Sequence, residues 1–77
     1  MTDHVRGKTI VVTGAAGGFG RLVSLKAAAR GANLVCGDLD EANLAETARL
    51  VGEAGGEAAT LRTDVTELAD MQALVAL

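Results

Sequence analysis

The chain contains no proline, tryptophan or tyrosine, and only one phenylalanine, one cysteine and one histidine among its 77 residues. Each scarcity excludes something. Without proline, no strand or helix is broken by a residue lacking its amide N–H, and no stiff Pro-rich linker divides the chain. With Phe19 as its one aromatic side chain, the chain must build its interior from aliphatic residues and alanine. Cys36 has no partner for an internal disulfide, which predicts a reducing, cytoplasmic setting. His4 has no ligand partner at metal spacing and reads as a free surface histidine. The lack of tyrosine leaves no phenol for proton transfer. Seven Lys and Arg face ten Asp and Glu, and no basic block exists, which argues against nucleic acid as a partner. No apolar run approaches the roughly 20 residues of a membrane-spanning helix. The polar start, from Met1 to Lys8, lacks the apolar segment of a signal peptide.

What is present alternates between two periodicities. Lys8 to Thr13 is continuous and rich in β-branched residues, the pattern of a buried parallel strand. Gly18 to Arg30 predicts a helix with Leu22, Leu25 and Ala29 on its inner face, ended by Gly31. Asn33 to Gly37 predicts a second strand. A second helix runs from Asp40 or Glu41 to about Ala54, with Leu44, Ala48 and Val51 inward and Glu41, Glu46 and Glu53 on a solvated face; Gly55-Gly56 breaks it. Glu57 to about Thr63 predicts a third strand. Thr66 is placed to cap a third helix with an apolar stripe of Leu68, Met71, Leu74 and Val75, and Asp64 with Glu67 has capping-box spacing. Short connections between alternating elements imply an α/β fold: half of a doubly wound parallel sheet, strand order 3-2-1. Right-handed crossovers put the first two helices on one face and leave the other for the third helix alone. The chain by itself is therefore expected to be marginal, self-associating or dependent on a covering segment.

Between the first strand and first helix lies Thr13-Gly14-Ala15-Ala16-Gly17-Gly18-Phe19-Gly20. Such a turn aims backbone N–H groups at one point, where a phosphate can sit. A P-loop needs Gly-Lys-Ser/Thr, and Gly20 is followed by Arg21 and Leu22; the spacing G-x-G-x-x-G fails at Val23. T-G-x-x-x-G-x-G fits through Gly14, Gly18 and Gly20, and T-G-x-x-G-x-x-G fits through Gly14, Gly17 and Gly20. Gly14 suits the turn off the strand, Gly18 close approach to a pyrophosphate, and Gly20 close packing of the helix. Asp38, at the end of the second apolar run, stands where an acid would bind a ribose hydroxyl.

Taken together, these features resemble the N-terminal part of short-chain dehydrogenases/reductases. The resemblance runs through Gly7-Lys8, the loop from Thr13 to Gly20, Gly31-Ala32, Asp38, Gly55-Gly56 and Thr63-Asp64-Val65-Thr66, essentially the whole chain. It implies that residues 1–77 are the NAD-binding portion of a single-domain enzyme transferring hydride between nicotinamide and an alcohol or ketone. It also implies a family that is commonly tetrameric. Gly14, Ala16, Gly17, Gly18, Phe19 and Gly20 would line the pyrophosphate, Asp38 and Leu39 the adenosine ribose, and Asp64 and Val65 the adenine. Phe19 stands where the family usually has an aliphatic residue. NAD is expected over NADP. A 2′-phosphate beside Asp38 would cost about 4 kcal/mol at ~4 Å with an effective dielectric of ~20, and relatives that prefer NADP carry Arg or Lys where this chain has Gly17 or Leu39.

The family's catalytic tyrosine, lysine, serine and asparagine have no counterpart here. Lys8 and Lys26 flank or lie within the loop-helix unit, and Ser24, the only serine, falls inside the first helix. Cys36 reads as a small buried hydrophobe. Three readings follow: part of a dehydrogenase with no turnover of its own, a stand-alone nucleotide-binding or regulatory module, or a piece that completes another chain's sheet.

Overall fold

The computed structural model describes residues 6–77, so His4 lies outside the described residues. The elements are β1 (Thr9–Thr13), α1 (Gly18–Ala29), β2 (Asn33–Asp38), α2 (Glu41–Glu53), β3 (Glu57–Arg62) and α3 (Leu68–Val75). The strands form one parallel sheet in the order β1-β2-β3, the expected 3-2-1 seen from the other edge. Thr9 pairs with Asn33 and Thr13 with Gly37; Asp38 pairs with Arg62. This register brings the loop after β1 and the carboxylate after β2 to the same edge.

The core lies between the sheet and the two connecting helices. Val12, Leu34 and Cys36 meet Ala27, Ala28, Leu44 and Val51, with Ile10 and Ala58 packed alongside. Cys36 is fully buried, its Sγ 3.8 Å from Ser24 Oγ, and burial pushes its thiol pKa up. Close helix–sheet approach rests on small residues: a Cβ at Gly56 would lie 2.8 Å from the Ala28 methyl.

The inward face of α1 differs from the periodicity reading. Ser24, Ala27 and Ala28 are buried, whereas Leu22 is 49% exposed, Ala29 is exposed and Leu25 is half-buried. The cause is Gly20, where a Cβ would stand 2.1 Å from the Gly14 carbonyl oxygen. Only glycine fits, and fixing residue 20 against the loop turns the i+4, i+7 and i+8 positions onto the sheet, although they are not the largest side chains. In α2 the buried stripe is Leu44, Thr47 and Val51, with Ala48 half-buried. Asp40 caps α2, accepting from the Asn43 N–H at 3.1 Å. On the outer surface Arg49 pairs with Glu46 and Glu53.

β1 is less buried than its composition suggests. Val12 is covered by the helices, while Val11 on the opposite face is 42% exposed. On that face Val35 of β2 is buried, and near the end of β2 Leu74 and Thr63 pack so tightly over Gly37 that a Cβ there would be 2.8 and 2.6 Å from them. Leu74 is accordingly the one buried member of the expected α3 stripe; Leu68 and Val75 are 72% and 69% exposed and Met71 is half-buried. Thr66 does not cap α3, which has Glu67 at its N-cap. Both the N–H and hydroxyl of Thr66 donate to Asp64 Oδ1 instead, at 2.9 and 2.6 Å, so Asp64 closes a local turn and is not a helix cap either.

Two glycine substitutions separate packing from backbone entropy. Gly20→Ala drives a methyl into backbone and should destabilise by at least the ~1–3 kcal/mol typical of overpacking. Gly52→Ala, in open space within α2, should stabilise by about 0.5–1 kcal/mol. Urea unfolding of the two variants checks this; equal midpoints would contradict it.

Candidate functional site

The segment between β1 and α1 is open in front and tight behind. Gly14 and Gly18 have φ of +66° and +55°, a region costly for other residues, and Gly17 is the extended N-cap of α1. A Cβ built at Gly14, Gly17 or Gly18 meets nothing within 4 Å, whereas one at Gly20 collides with the loop. Gly18, Phe19 and Gly20 form the first turn of α1, whose amides have no intrahelical carbonyl to bond. The helix dipole adds partial positive charge at the same end.

The loop's two alanines are held at all four of their backbone polar groups. Ala15 N–H donates to the Gly37 carbonyl at 3.2 Å, and the Ala15 carbonyl accepts from Thr47 Oγ1 at 2.7 Å. Ala16 N–H donates to Asp38 Oδ2 at 3.1 Å, and the Ala16 carbonyl accepts from Arg21 Nη2 at 2.7 Å. Arg21 also donates through Nε to Thr47 Oγ1 at 2.8 Å and through Nη2 to the Asn43 carbonyl at 2.9 Å. Neither Arg21 nor Thr47 stood out in the sequence. The available signals were a hydroxyl within the buried stripe of α2, three residues after Leu44 and four before Val51, and a cation directly after the last loop glycine.

Asp38 ends β2, half-buried, with Oδ1 accepting from the Asp40 N–H at 3.0 Å. It joins Gly14, Leu39, Thr63 and Val65 in lining a cleft of about 130 Å³ at the carboxyl edge of the sheet. Four residues expected at the site, Gly14, Asp38, Leu39 and Val65, are thus brought together, and Thr63 is an addition. Thr63 is 1% exposed, its hydroxyl donating to the Leu61 carbonyl at 2.8 Å. Ala16, within the loop, is buried. Phe19 does not line the cleft and is 79% exposed. Asp64 lies beside Val65, but its carboxylate is engaged by Thr66, whose hydroxyl and N–H hold the Asp64 pKa below the usual carboxylate range. Among the described residues, no group of three His, Cys, Asp or Glu could hold a metal ion, and no helix is long and apolar enough to cross a membrane.

A family model described as short chain dehydrogenase matches residues 8–77. Among curated proteins, the chain is 41% identical over 68 residues to 3beta-hydroxysteroid dehydrogenase 1 of Eggerthella lenta, covering 87% of this chain and 26% of that protein. It is 44% identical over 77 residues to 2,5-dichloro-2,5-cyclohexadiene-1,4-diol dehydrogenase of Sphingobium indicum, covering 99% of this chain and 29% of that one. Among solved structures, a short chain dehydrogenase/reductase from Burkholderia phymatum in complex with NAD superposes with a TM-score of 0.87 at 41% identity, over 99% of this chain and 27% of the other. An NADH-dependent reductase, A1-R', complexed with NAD gives 0.84 at 34% identity, over 99% and 32%. The chain therefore spans less than a third of the length of these relatives.

The turn from Asp64 to Thr66 has a definite pH dependence. Because the folded-state pKa of Asp64 is depressed, its contribution is complete above the unfolded value of about 3.9. It is lost as pH falls through the lower folded value. Following the Thr66 amide resonance during an acid titration should give a midpoint below that of an ordinary aspartate; a midpoint at or above it would contradict the bonding described.

Proposed function

The chain belongs to the short-chain dehydrogenase family, and we propose that residues 1–77 are the NAD(H)-binding portion of an oxidoreductase that interconverts an alcohol and a ketone. The observation that carries this reading is the cleft shared by Gly14, Asp38, Leu39 and Val65, set beside the free amides of the first turn of α1. In open α/β sheets, ligands bind at the carboxyl ends of the strands. The dinucleotide suits the residues present. The space where a Cβ of Gly14, Gly17 or Gly18 would project is empty, leaving room for a diphosphate against backbone. The likeness to two chains solved with NAD supports the same choice.

Each residue then has a role. The amides from Gly17 to Gly20 hold the diphosphate. Asp38 accepts from the two ribose hydroxyls; each of its oxygens accepts one backbone N–H and retains a further lone pair. Leu39 and Val65 cover the adenosine apolarly, with Asp64 at the adenine edge. Phe19 shields the outer side of the diphosphate while its own N–H faces the cradle. NAD is preferred over NADP because a 2′-phosphate would meet the Asp38 carboxylate, and neither Gly17 nor Leu39 offers a cation. Bound NAD supplies the hydride acceptor. The chain positions it, and the proton transfer that must accompany hydride transfer falls to residues outside these 77.

Titration of the chain with NADH, followed by the dinucleotide's own emission without tryptophan or tyrosine background, should saturate at one site. NADPH should bind at least about tenfold more weakly, a difference of about 1.4 kcal/mol. Asp38→Ala combined with Leu39→Arg should reverse that order, and equal affinities in both proteins would remove Asp38 as the discriminator. The chain alone should oxidise no member of a broad alcohol panel with NAD; measurable NADH production would overturn the division of labour proposed.

A further inference from the structure

Arg21 and Thr47 belong to neither the cradle nor the adenosine cleft, yet both act on the backbone that the cradle grows from. Thr47 is fully buried and its hydroxyl has a full set of partners: it donates to the Ala15 carbonyl and accepts from Arg21 Nε. The Arg21 guanidinium joins α1, the loop and α2 through the Ala16 carbonyl, the Asn43 carbonyl and Thr47. A planar fork reaches these acceptors together, which an ammonium cannot do.

We infer that Arg21 and Thr47 are positioning residues for the dinucleotide's diphosphate, fixing and polarising the loop peptides from behind; this rests on the reading of the loop as a diphosphate cradle. Two effects follow from the geometry. With Ala15 and Ala16 immobilised, little loop ordering remains to be done when ligand arrives, so less affinity is lost to it. The second effect is electronic. The Ala16 carbonyl and the Gly17 N–H belong to one peptide group. A cationic donor on that carbonyl withdraws electron density through the amide and makes the Gly17 N–H a stronger donor toward an anion. Thr47 contributes by position: it fixes the Ala15 carbonyl and, by accepting from Arg21 Nε, holds the guanidinium on the Ala16 carbonyl.

The test compares ADP with adenosine, which share the adenosine cleft and differ by the diphosphate. Chemical-shift titrations of the chain give the ratio of their affinities, with Thr47→Val, Thr47→Ser, Arg21→Met and Arg21→Lys as variants. Thr47→Val and Arg21→Met should reduce the ratio about tenfold, the size expected for loss of a buried or charge-assisted hydrogen bond, while adenosine affinity stays within about twofold. Thr47→Ser should restore the ratio, and Arg21→Lys should restore it only in part. An unchanged ratio in both Thr47→Val and Arg21→Met would overturn the inference while leaving the cradle intact. Parallel loss of adenosine and ADP binding would also overturn it, since that is the signature of general destabilisation. A wild-type chain that binds adenosine and gains nothing from the diphosphate would instead refute the cradle itself.

Discussion

The approach of Gly20 to the Gly14 carbonyl governs the rest of this molecule. A helix that begins on a glycine turn has one rotational freedom about its axis, and this contact removes it. Once residue 20 is pressed against the loop, Ser24, Ala27 and Ala28 must face the sheet. Their small side chains let α1 lie close to β2, with Ser24 Oγ donating to the Gly20 carbonyl at 2.8 Å. The same closeness brings α2 near enough for a threonine hydroxyl to reach a loop carbonyl. A larger residue at position 20 would lift the helix, open the core and detach the loop from α2 in one step.

The site inherits its order from this packing. Asp38 is a brace as well as a candidate ribose ligand, because its carboxylate already holds the Ala16 and Asp40 amides. Such a group keeps its orientation without ligand, which lowers the ordering cost of binding. The polar groups of Ala15 and Ala16 are all satisfied within the fold, while the N–H groups of Gly18, Phe19 and Gly20 have no intrahelical carbonyl to bond.

The two faces of the sheet are unequal. The face toward α1 and α2 holds the core, while the other carries exposed Val11 and is gripped by α3 chiefly through Leu74. Apolar side chains on α3 reach solvent for the same reason: a helix of eight residues covers only part of that face. Stability in such an arrangement is concentrated on one side, with Leu34, Cys36, Leu44 and Val51 its buried centre.

Element type and order were legible in the sequence because they depend on local patterns: β-branched runs make strands, glycines with positive φ punctuate, and apolar spacing marks helices. The glycine loop and Asp38 were legible as well, since both are tied to strand ends. The inward side of α1 was not, because hydrophobicity favoured Leu22 while a steric contact selected Ser24; in α2 Leu44 and Val51 were legible, but a hydrogen bond buried Thr47 where Ala48 was expected. Nor could the roles of Arg21 and Thr47 be read, 26 residues apart and joined only by folding. Thr66 was misread as a cap because Asp64, two residues before it, takes both its N–H and its hydroxyl into a local turn. The sequence by itself determined the order of elements and the backbone freedom of the loop. Tertiary structure decided helix rotation and loop bracing, because both arise from contacts between atoms that chain proximity does not bring together.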